Sequence, residues 1–357
     1  MKAIVDPTQL FKELKKMSLV VRKNPIIPIT GAVNFEFSKN KLTITGTDLE
    51  TTVITSMPCE CKEVFSFPVS YDDMVKNCST IFAPLLFDVT YRNITLSCGK
   101  WKSKLSTAGG DNEFPKTKTE DWGTEFEVEG DFFYHLSIAS TCKHPNDPRI
   151  NMPAIHLGKD KICIVATDAN VLYLKEFNIG SGADMVVMVS SNFASCCKLF
   201  QESKISIGEK FIKVEHKDET IISLLSVQKY PNYRRVIREG IVWNMNVDRN
   251  ELKLALQSVS VAEDNTTKVM EMHITENNLK ISAANTDLNK EAETELEVEN
   301  SVGNLEVSFN SDRMMHFIST LTSEKIDLSF FTNTTSIFIK PSDDDSVLCL
   351  VQPFAKQ

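Results

Sequence analysis

The sequence predicts an α+β chain built as three successive domains of one fold, each with two helices against antiparallel sheets. Two repeated landmarks and one repeated opening predict it. A strand ending in Thr-Asp occurs as KLTITGTDLETTV, KICIVATDANVLYL and LKISAANTDLNKEAE, placing Asp48, Asp168 and Asp287 at spacings of 120 and 119 residues. About twenty residues later each unit has an apolar strand that runs into a serine and a helical pattern. These are FSFPVSYDDMVKNCS, VVMVSSNFASCCKLF and LEVSFNSDRMMHFISTL, with Ser70, Ser191 and Ser311 spaced by 121 and 120. Two independent landmarks share one period, and a fixed period of this kind marks a repeated architecture. Three periods fill the 357 residues.

Each unit opens with a short strand, an aspartate and an amphipathic helix. Asp6-Pro7 before TQLFKELKKMS is a capping residue followed by proline at the first helical position. Asp131 precedes FFYHLSIAS and Asp248 precedes RNELKLALQSVS. Ser70 with Asp73 predicts a capping box on the second helix of the first unit. The strands alternate, with Leu42 and Ile44, Ile162 and Ile164, Leu279 and Ile281 apolar at period two. Each unit therefore reads helix, paired strands, strand, helix, paired strands. The acidic run EAETELEVE (291–299) alternates glutamate with small and apolar residues, which predicts a half-exposed strand. Two linkers, 108–123 and 228–240, each place an aromatic before proline, as Phe114-Pro115 and Tyr230-Pro231. They set domain boundaries that give 1–121, 122–240 and 241–357.

Composition narrows the function. Hydrophobic residues at 42% and charged residues at 24% are ordinary for a globular protein. The N-terminus has no apolar core of signal-peptide length and no stretch approaches a bilayer span, so a cytoplasmic protein with no membrane role is expected. Nine cysteines without a CxxC pair predict reduced, buried thiols and no zinc site. The net charge of −9 argues against nucleic acid on average, but the placement of the charges, not their sum, has to decide. Enzyme chemistry has no foothold: there is no P-loop, GxGxxG, HExxH or G-x-S-x-G, and six histidines are scattered without metal spacing. The repeated Thr-Asp reads as a satisfied turn, because aspartate after a strand accepts backbone N–H groups. Asp343-Asp344-Asp345 reads as a solvated hairpin tip. No catalytic residue, metal or cofactor is expected.

TGTDLETT in the first unit, VATDANVL in the second and YPNYRRVI after it make the chain resemble the beta sliding clamps, the processivity subunits of bacterial DNA polymerase III. IPITGAVNFEF, KSKLSTAGGDNEFP, RINMPAI and ENNLKISAAN align in the same order, so the resemblance runs end to end. It implies three clamp domains per chain and two chains closed head to tail in a six-lobed ring. Helices would line the hole and sheets face outward. The ring would encircle duplex DNA without reading its sequence, confer processivity in DNA replication and perform no enzyme chemistry. The alternative is a repeat scaffold that binds partner peptides and never encircles DNA.

Basic residues recur on or beside the predicted helices, and the resemblance gives many of them a phosphate-facing role that permits sliding. Lys12, Arg22, Lys23, Asn24, Lys76, Lys143, His144, Arg149, Lys198 and Lys253 form the candidate DNA set, with Lys15, Lys16, Arg249 and Arg313 also on helices. Asn24 stands where the family often has arginine. The bland reading is a set of solvated helix faces.

The resemblance also implies a cleft where polymerases and clamp loaders insert short peptides. Carried over by position, its residues are Met152, Thr167, Ala169, Asn170, Val171 and Leu172, then Pro231 and Val236, then Asn310 and Arg313, and finally Leu350, Gln352, Pro353 and Phe354. Such a site needs apolar walls for anchors and a few orienting polar groups. Ala169-Asn170-Val171 replaces a frequent Gly-His-Arg, and Gln352 makes the floor more polar. The ring interface is expected to pair an edge strand near Trp101–Thr107 with the third domain of the other chain.

Overall fold

The computed structural model describes residues 1–108, 113–117, 119–198, 200–238, 240, 243–300 and 304–354. Linker positions 109–112, 118 and 239, and residue 241 at the second boundary, lie outside them. The first repeat runs β1 (Lys2–Val5), α1 (Pro7–Met17), β2 (Ala32–Ser38), β3 (Lys41–Thr47), β4 (Thr51–Pro58), β5 (Glu60–Cys61), β6 (Phe65–Ser70), α2 (Tyr71–Cys78), β7 (Leu85–Thr90), β8 (Asn93–Cys98) and β9 (Trp101–Ser106). The second runs β10 (Thr124–Val128), α3 (Gly130–Ala139), β11 (Ala154–Leu157), β12 (Ile162–Thr167), β13 (Val171–Phe177), β14 (Met185–Met188), α4 (Ser191–Cys197), β15 (Ser203–Ile207), β16 (Phe211–His216) and β17 (Glu219–Leu224). The third runs β18 (Trp243–Asp248), α5 (Arg249–Val259), β19 (Val269–Ile274), β20 (Asn278–Asn285), β21 (Lys290–Glu297), β22 (Glu299–Asn300), β23 (Leu305–Asn310), α6 (Ser311–Thr320), β24 (Lys325–Phe330), β25 (Ile337–Pro341) and β26 (Val347–Val351). The α+β class and the two helices per repeat follow the sequence.

Local chemistry fixes the helix starts. The Asp6 carboxylate accepts the N–H groups of Thr8 and Gln9, and Pro7 opens α1, whose Leu10, Leu14 and Met17 bury one face. Asp248 caps α5 in the same way through Asn250 and Glu251. Asp131, by contrast, lies inside the first turn of α3. The second helices are capped by Ser70, Ser190 and Asn310, which stand 120 residues apart in both intervals. Ser191 and Ser311 are therefore the first helical residues rather than the caps. The true period of this landmark is tighter than the serines suggested.

Packing divides the chain into two compact units, residues 1–137 with 189–227, and residues 138–188 with 228–357. The first unit holds a five-stranded sheet ordered β5-β1-β7-β8-β9 and an eight-stranded sheet ordered β10-β15-β16-β17-β4-β3-β2-β6. The second holds a nine-stranded sheet ordered β14-β11-β12-β13-β26-β25-β24-β18-β22 and a four-stranded sheet ordered β21-β20-β19-β23. Each large sheet crosses from one sequence repeat to the next. β17 pairs with β4 from Glu219 opposite Thr55 to Ser223 opposite Thr51, and β26 pairs with β13 from Val347 opposite Lys175 to Val351 opposite Val171. Repeats and compact units thus follow different boundaries, because the hydrogen-bonded joints lie between repeats.

Each unit has its own core. In the first, Phe35, Phe37, Phe65, Phe67 and Phe87 form an aromatic block, with the Phe37 and Phe65 rings stacked at 4.8 Å. Glu13, a buried acid on α1, accepts from Thr55 of β4 and from Lys16, whose ammonium also reaches Glu219 of β17. Burial alone would lower the Lys16 pKa, but the two carboxylates outweigh it and raise it. Lys16, one of the basic residues of the predicted helices, is spent on this joint. The linker before the second repeat is strapped down too. The Glu120 carboxylate accepts the N–H groups of Lys210 and Phe211, and a Cβ on Gly208 would meet its Oε1 at 2.0 Å. In the second unit Lys175, 7% exposed, reaches Asp344 at 2.7 Å. The acidic tip expected to be merely solvated therefore anchors a buried lysine through its middle residue.

Candidate functional site

Two of the three Thr-Asp turns are built identically. Asp48 Oδ1 accepts the N–H groups of Glu50 and Thr51 at 3.0 and 2.7 Å; Asp168 Oδ1 accepts those of Asn170 and Val171 at 2.8 and 2.7 Å. Thr47 and Thr167 close each turn from the other side by accepting the N–H of Leu49 and Ala169. The residue after each aspartate is left-handed, with φ 78° at Leu49 and 76° at Ala169, a region costly for side chains other than glycine. The third turn differs: Asn285 accepts the Leu288 N–H and Asn289 takes φ 50°.

The second turn stands at the centre of the candidate cleft. Gln352 N donates to the Asn170 carbonyl at 2.7 Å, which extends the β13–β26 pairing by one step and sets Leu172 opposite Leu350. Arg313, in the first turn of α6, lies 4.0 Å from Asp168 Oδ2. Asn310 caps that helix by accepting Arg313 N, and Phe354 N donates to the Ser308 carbonyl of β23. The wall is one hydrophobic cluster that contains Leu172, Leu350, Tyr230, Tyr233, Phe331 and Phe338, with Met152 packed against it. Val236 is 52% exposed and Pro231 is exposed beside the two tyrosines. Among the carried-over residues, Leu172 and Leu350 belong to this wall, Val171 and Pro353 are buried outside the cluster, and Ala169, Pro231, Val236 and Gln352 are open to solvent. Gln352 is held outward, its amide bonded to Ser336 Oγ at 2.9 Å and the Thr334 carbonyl.

The sequence reading missed the aromatics of this wall. Burial pushes the Tyr230 phenol upward and that of Tyr233 up to about 12, so both stay neutral at physiological pH. Tyr233 Oη shares a 2.7 Å hydrogen bond with His156 Nδ1, and Asn232 caps the short helical turn that carries Tyr233 and Val236. The signal was present in the aromatic spacing of YPNYRRV.

The candidate DNA set is scattered over both units. Lys12, Arg22, Lys23, Asn24, Lys76, Lys143 and Lys198 are exposed, and Lys253 is half-buried on α5. Asn24 sits at φ 53°. Two members have local commitments. His144 Nδ1 accepts the N–H groups of Asn146 and Asp147, and Arg149 forks onto the Asp147 carboxylate at 3.0 and 2.7 Å. That guanidinium holds the Asp147 carboxyl at about 2. Arg249 donates to the carbonyls of Ser323 and Ile318, which anchors α5. Among the described residues no group of three or more His, Cys, Asp or Glu is placed to hold a metal ion, and all nine cysteines are free. No helix of the described residues is long and apolar enough to cross a membrane.

The fold is that of the polymerase clamps. It superposes on the crystal structure of the DNA polymerase III subunit beta from Pseudomonas aeruginosa with a TM-score of 0.94 at 22% identity, covering 100% of both chains. The corresponding structure from Thermotoga maritima gives 0.90 at 21% identity, again over both whole chains. The beta sliding clamps of Vibrio cholerae and Escherichia coli are each 22% identical over 99% of both sequences. The family model for the N-terminal domain of the DNA polymerase III beta subunit matches residues 1–116, and that for its C-terminal domain matches residues 234–355. The chain belongs to the DNA polymerase III beta subunit family, the beta sliding clamps.

Proposed function

We propose that two copies of this chain close head to tail into a ring around duplex DNA and act as a non-enzymatic sliding clamp in the cytoplasm. In this reading each chain carries three domains, 1–121, 122–240 and 241–357, and the cleft tethers polymerase and clamp loader through short peptides. One observation carries the ring. In both joints within the chain, the last strand of a repeat pairs with the strand that follows the Thr-Asp position of the repeat before it: β17 on β4, β26 on β13. Two strands of these classes are left over, β9 at the end of the first repeat and β21 after Asp287.

Both leftovers are sheet edges, with backbone groups that invite pairing. Their charges are opposite: Lys102 and Lys104 are exposed on β9, and Glu291, Glu293, Glu295 and Glu297 on β21. A third joint of the same kind between two copies uses both edges, and a heterologous contact that closes after two copies makes a ring. Exposed Lys12, Lys23, Lys76, Lys143 and Lys198 support a sequence-independent phosphate contact.

Negative-stain imaging of the purified protein with two-dimensional averaging tests the reading. A ring with a central hole and six outer lobes is expected. A particle without a hole at concentrations well above micromolar would transfer the case to the peptide-binding scaffold. Salt-sensitive retention on closed circular DNA, lost on linearising it, is the companion result expected of a clamp.

A further inference from the structure

One histidine reaches the wall of the candidate cleft from a neighbouring strand. His156 lies on β11, on the same face as Ala154, which belongs to the hydrophobic cluster of the wall. Its neighbours across the sheet are Cys163 of β12 and Val186 of β14. Val186 is exposed, so the imidazole stands where the apolar face gives way to solvent, its own side chain 20% exposed. Against it packs the short helical turn Tyr233–Val236, which supplies Tyr233 to the wall and exposed Val236 to the rim. The two rings meet edge to face with centroids 5.8 Å apart.

Two contacts set the protonation of the histidine. Nε2 faces the Asp184 carboxylate at 3.9 Å, and Nδ1 faces Tyr233 Oη at 2.7 Å. An ionised carboxylate only accepts, so the proton of the neutral imidazole belongs on Nε2. Nδ1 is then a bare acceptor, and the phenol donates to it. Arg234 turns its guanidinium toward the same phenol, so the oxygen receives one hydrogen bond and gives another. Tyr233 is thus held by a side chain from β11 as well as by its own turn.

The surroundings favour the neutral ring. Burial and the Arg234 charge lower the His156 pKa more than Asp184 raises it. The remaining titratable groups on the strands beside it are committed: Lys161 pairs with Glu176 at 2.9 Å, and the Cys163 thiol is pushed up by burial and stays neutral. A proton on Nδ1 replaces the acceptor by a second donor, so the phenol loses its partner and an imidazolium faces Arg234. The neutral contact is therefore favoured above the ordinary histidine range, and that preference fades as pH falls below it toward the lowered value.

We propose that His156 is a positioning residue of the peptide cleft. Its neutral ring holds Tyr233, and through the turn Tyr233–Val236 the apolar rim, in the geometry that grips a peptide, and protonating this one imidazole loosens the grip. This role rests on the cleft reading and adds a pH dependence that the cleft reading alone lacks.

The probe is a fluorescent peptide with leucine and phenylalanine anchors, acetylated, amidated and without titratable side chains, titrated into the full chain by anisotropy. Between about pH 7.5 and about pH 5.5 its affinity is expected to fall several-fold, about tenfold being the most that one histidine supplies over that interval. His156→Phe leaves the phenol unpaired, so binding is weak and its pH profile flat, with melting followed by circular dichroism to show that the variant is folded. His156→Gln offers the phenol an acceptor that does not titrate, so binding recovers relative to His156→Phe and the profile stays flat. A flat wild-type profile, or a slope that survives His156→Gln, overturns the role, and the cleft stands if Val236→Ser with Phe354→Ala still weakens the peptide. Binding indifferent to Val236→Ser with Phe354→Ala retires the cleft and the role together.

Discussion

Replacing the three aspartates of the repeated Thr-Asp sequence by alanine, one at a time, separates a motif seen in the sequence from the structure it encodes. Asp168 accepts two backbone N–H groups at 2.8 and 2.7 Å through one charged oxygen, and Asp48 accepts its own pair at 3.0 and 2.7 Å. Hydrogen bonds to charged groups contribute about 1.5–3 kcal/mol each, and half-exposed donors recover part of that from water. The expected cost of Asp168→Ala is therefore about 2–3 kcal/mol. Asp48→Ala costs the same or slightly more, because Asn192 loses a partner as well. Asp168→Asn keeps an acceptor without its charge and loses about 1 kcal/mol. Asp287 is exposed and accepts no hydrogen bond among the described residues, so Asp287→Ala stays within about 0.5 kcal/mol. Urea unfolding followed by circular dichroism measures each midpoint, with the slope checked for constancy. Equal losses at Asp168 and Asp287 would show that the hydrogen-bond pattern is not what the aspartate supplies.

The remaining expectations concern charge and the two proposed surfaces. Asp344→Asn leaves buried Lys175 without its counter-charge, though still bonded to Ser346 Oγ, and costs about 1–3 kcal/mol, discounted because Asp344 is partly exposed. Burial opposes ionisation of Asp344, but hydrogen bonds from Lys175 and Ser346 win and depress its pKa. The contribution is thus full above the ordinary aspartate range and fades as pH falls through the depressed value, so wild type and variant converge in stability only once pH is below that depressed value. Glu293→Lys with Glu295→Lys should dissociate the dimer in sedimentation at low micromolar concentration, and a further Lys102→Glu with Lys104→Glu should restore it. Lys23→Glu with Lys198→Glu should shorten retention on circular DNA, whereas Arg149→Glu should do less because Arg149 already serves Asp147. Val236→Ser with Phe354→Ala should weaken a partner peptide about tenfold without a change in melting. Leu172→Ala is a poorer probe: the residue is 3% exposed, and its loss costs the core about 2–5 kcal/mol.

The repeat, the α+β class and the caps at Asp6 and Asp248 were legible because each depends on local spacing and local hydrogen bonding. The acidic run at 291–299 was legible for the same reason: β21 exposes every second residue. What escaped was long-range. Nothing in the neighbourhood of Lys16 tells that Glu219, more than two hundred positions away, will claim its ammonium. Lys175 and Asp344 are separated by 169 positions, so the hairpin tip could only be read as solvated. Ser191 and Ser311, aligned with Ser70 as landmarks, each stand one residue after the cap, because consecutive polar residues leave the exact start of a helix open. For the candidate site, Leu172, Leu350 and Met152 were recoverable by resemblance. The spacing of YPNYRRV marked Tyr230 and Tyr233 as aromatics, but their place in the cluster and the His156 beside Tyr233 depend on tertiary packing.

The strand joints also constrain how an assembly could go wrong. A contact made by the last strand of one repeat on the strand after the Thr-Asp position of another carries no instruction to stop, and the same edge-to-edge joint that closes a circle can add copies without limit. Closure after two chains asks six joints to share one full turn, about a sixth each. Substitutions that change strand twist at β13–β26 or β4–β17 would therefore leave every contact intact and still alter the pitch. Such a variant would form open helical polymers instead of a closed particle, a failure of curvature rather than of affinity.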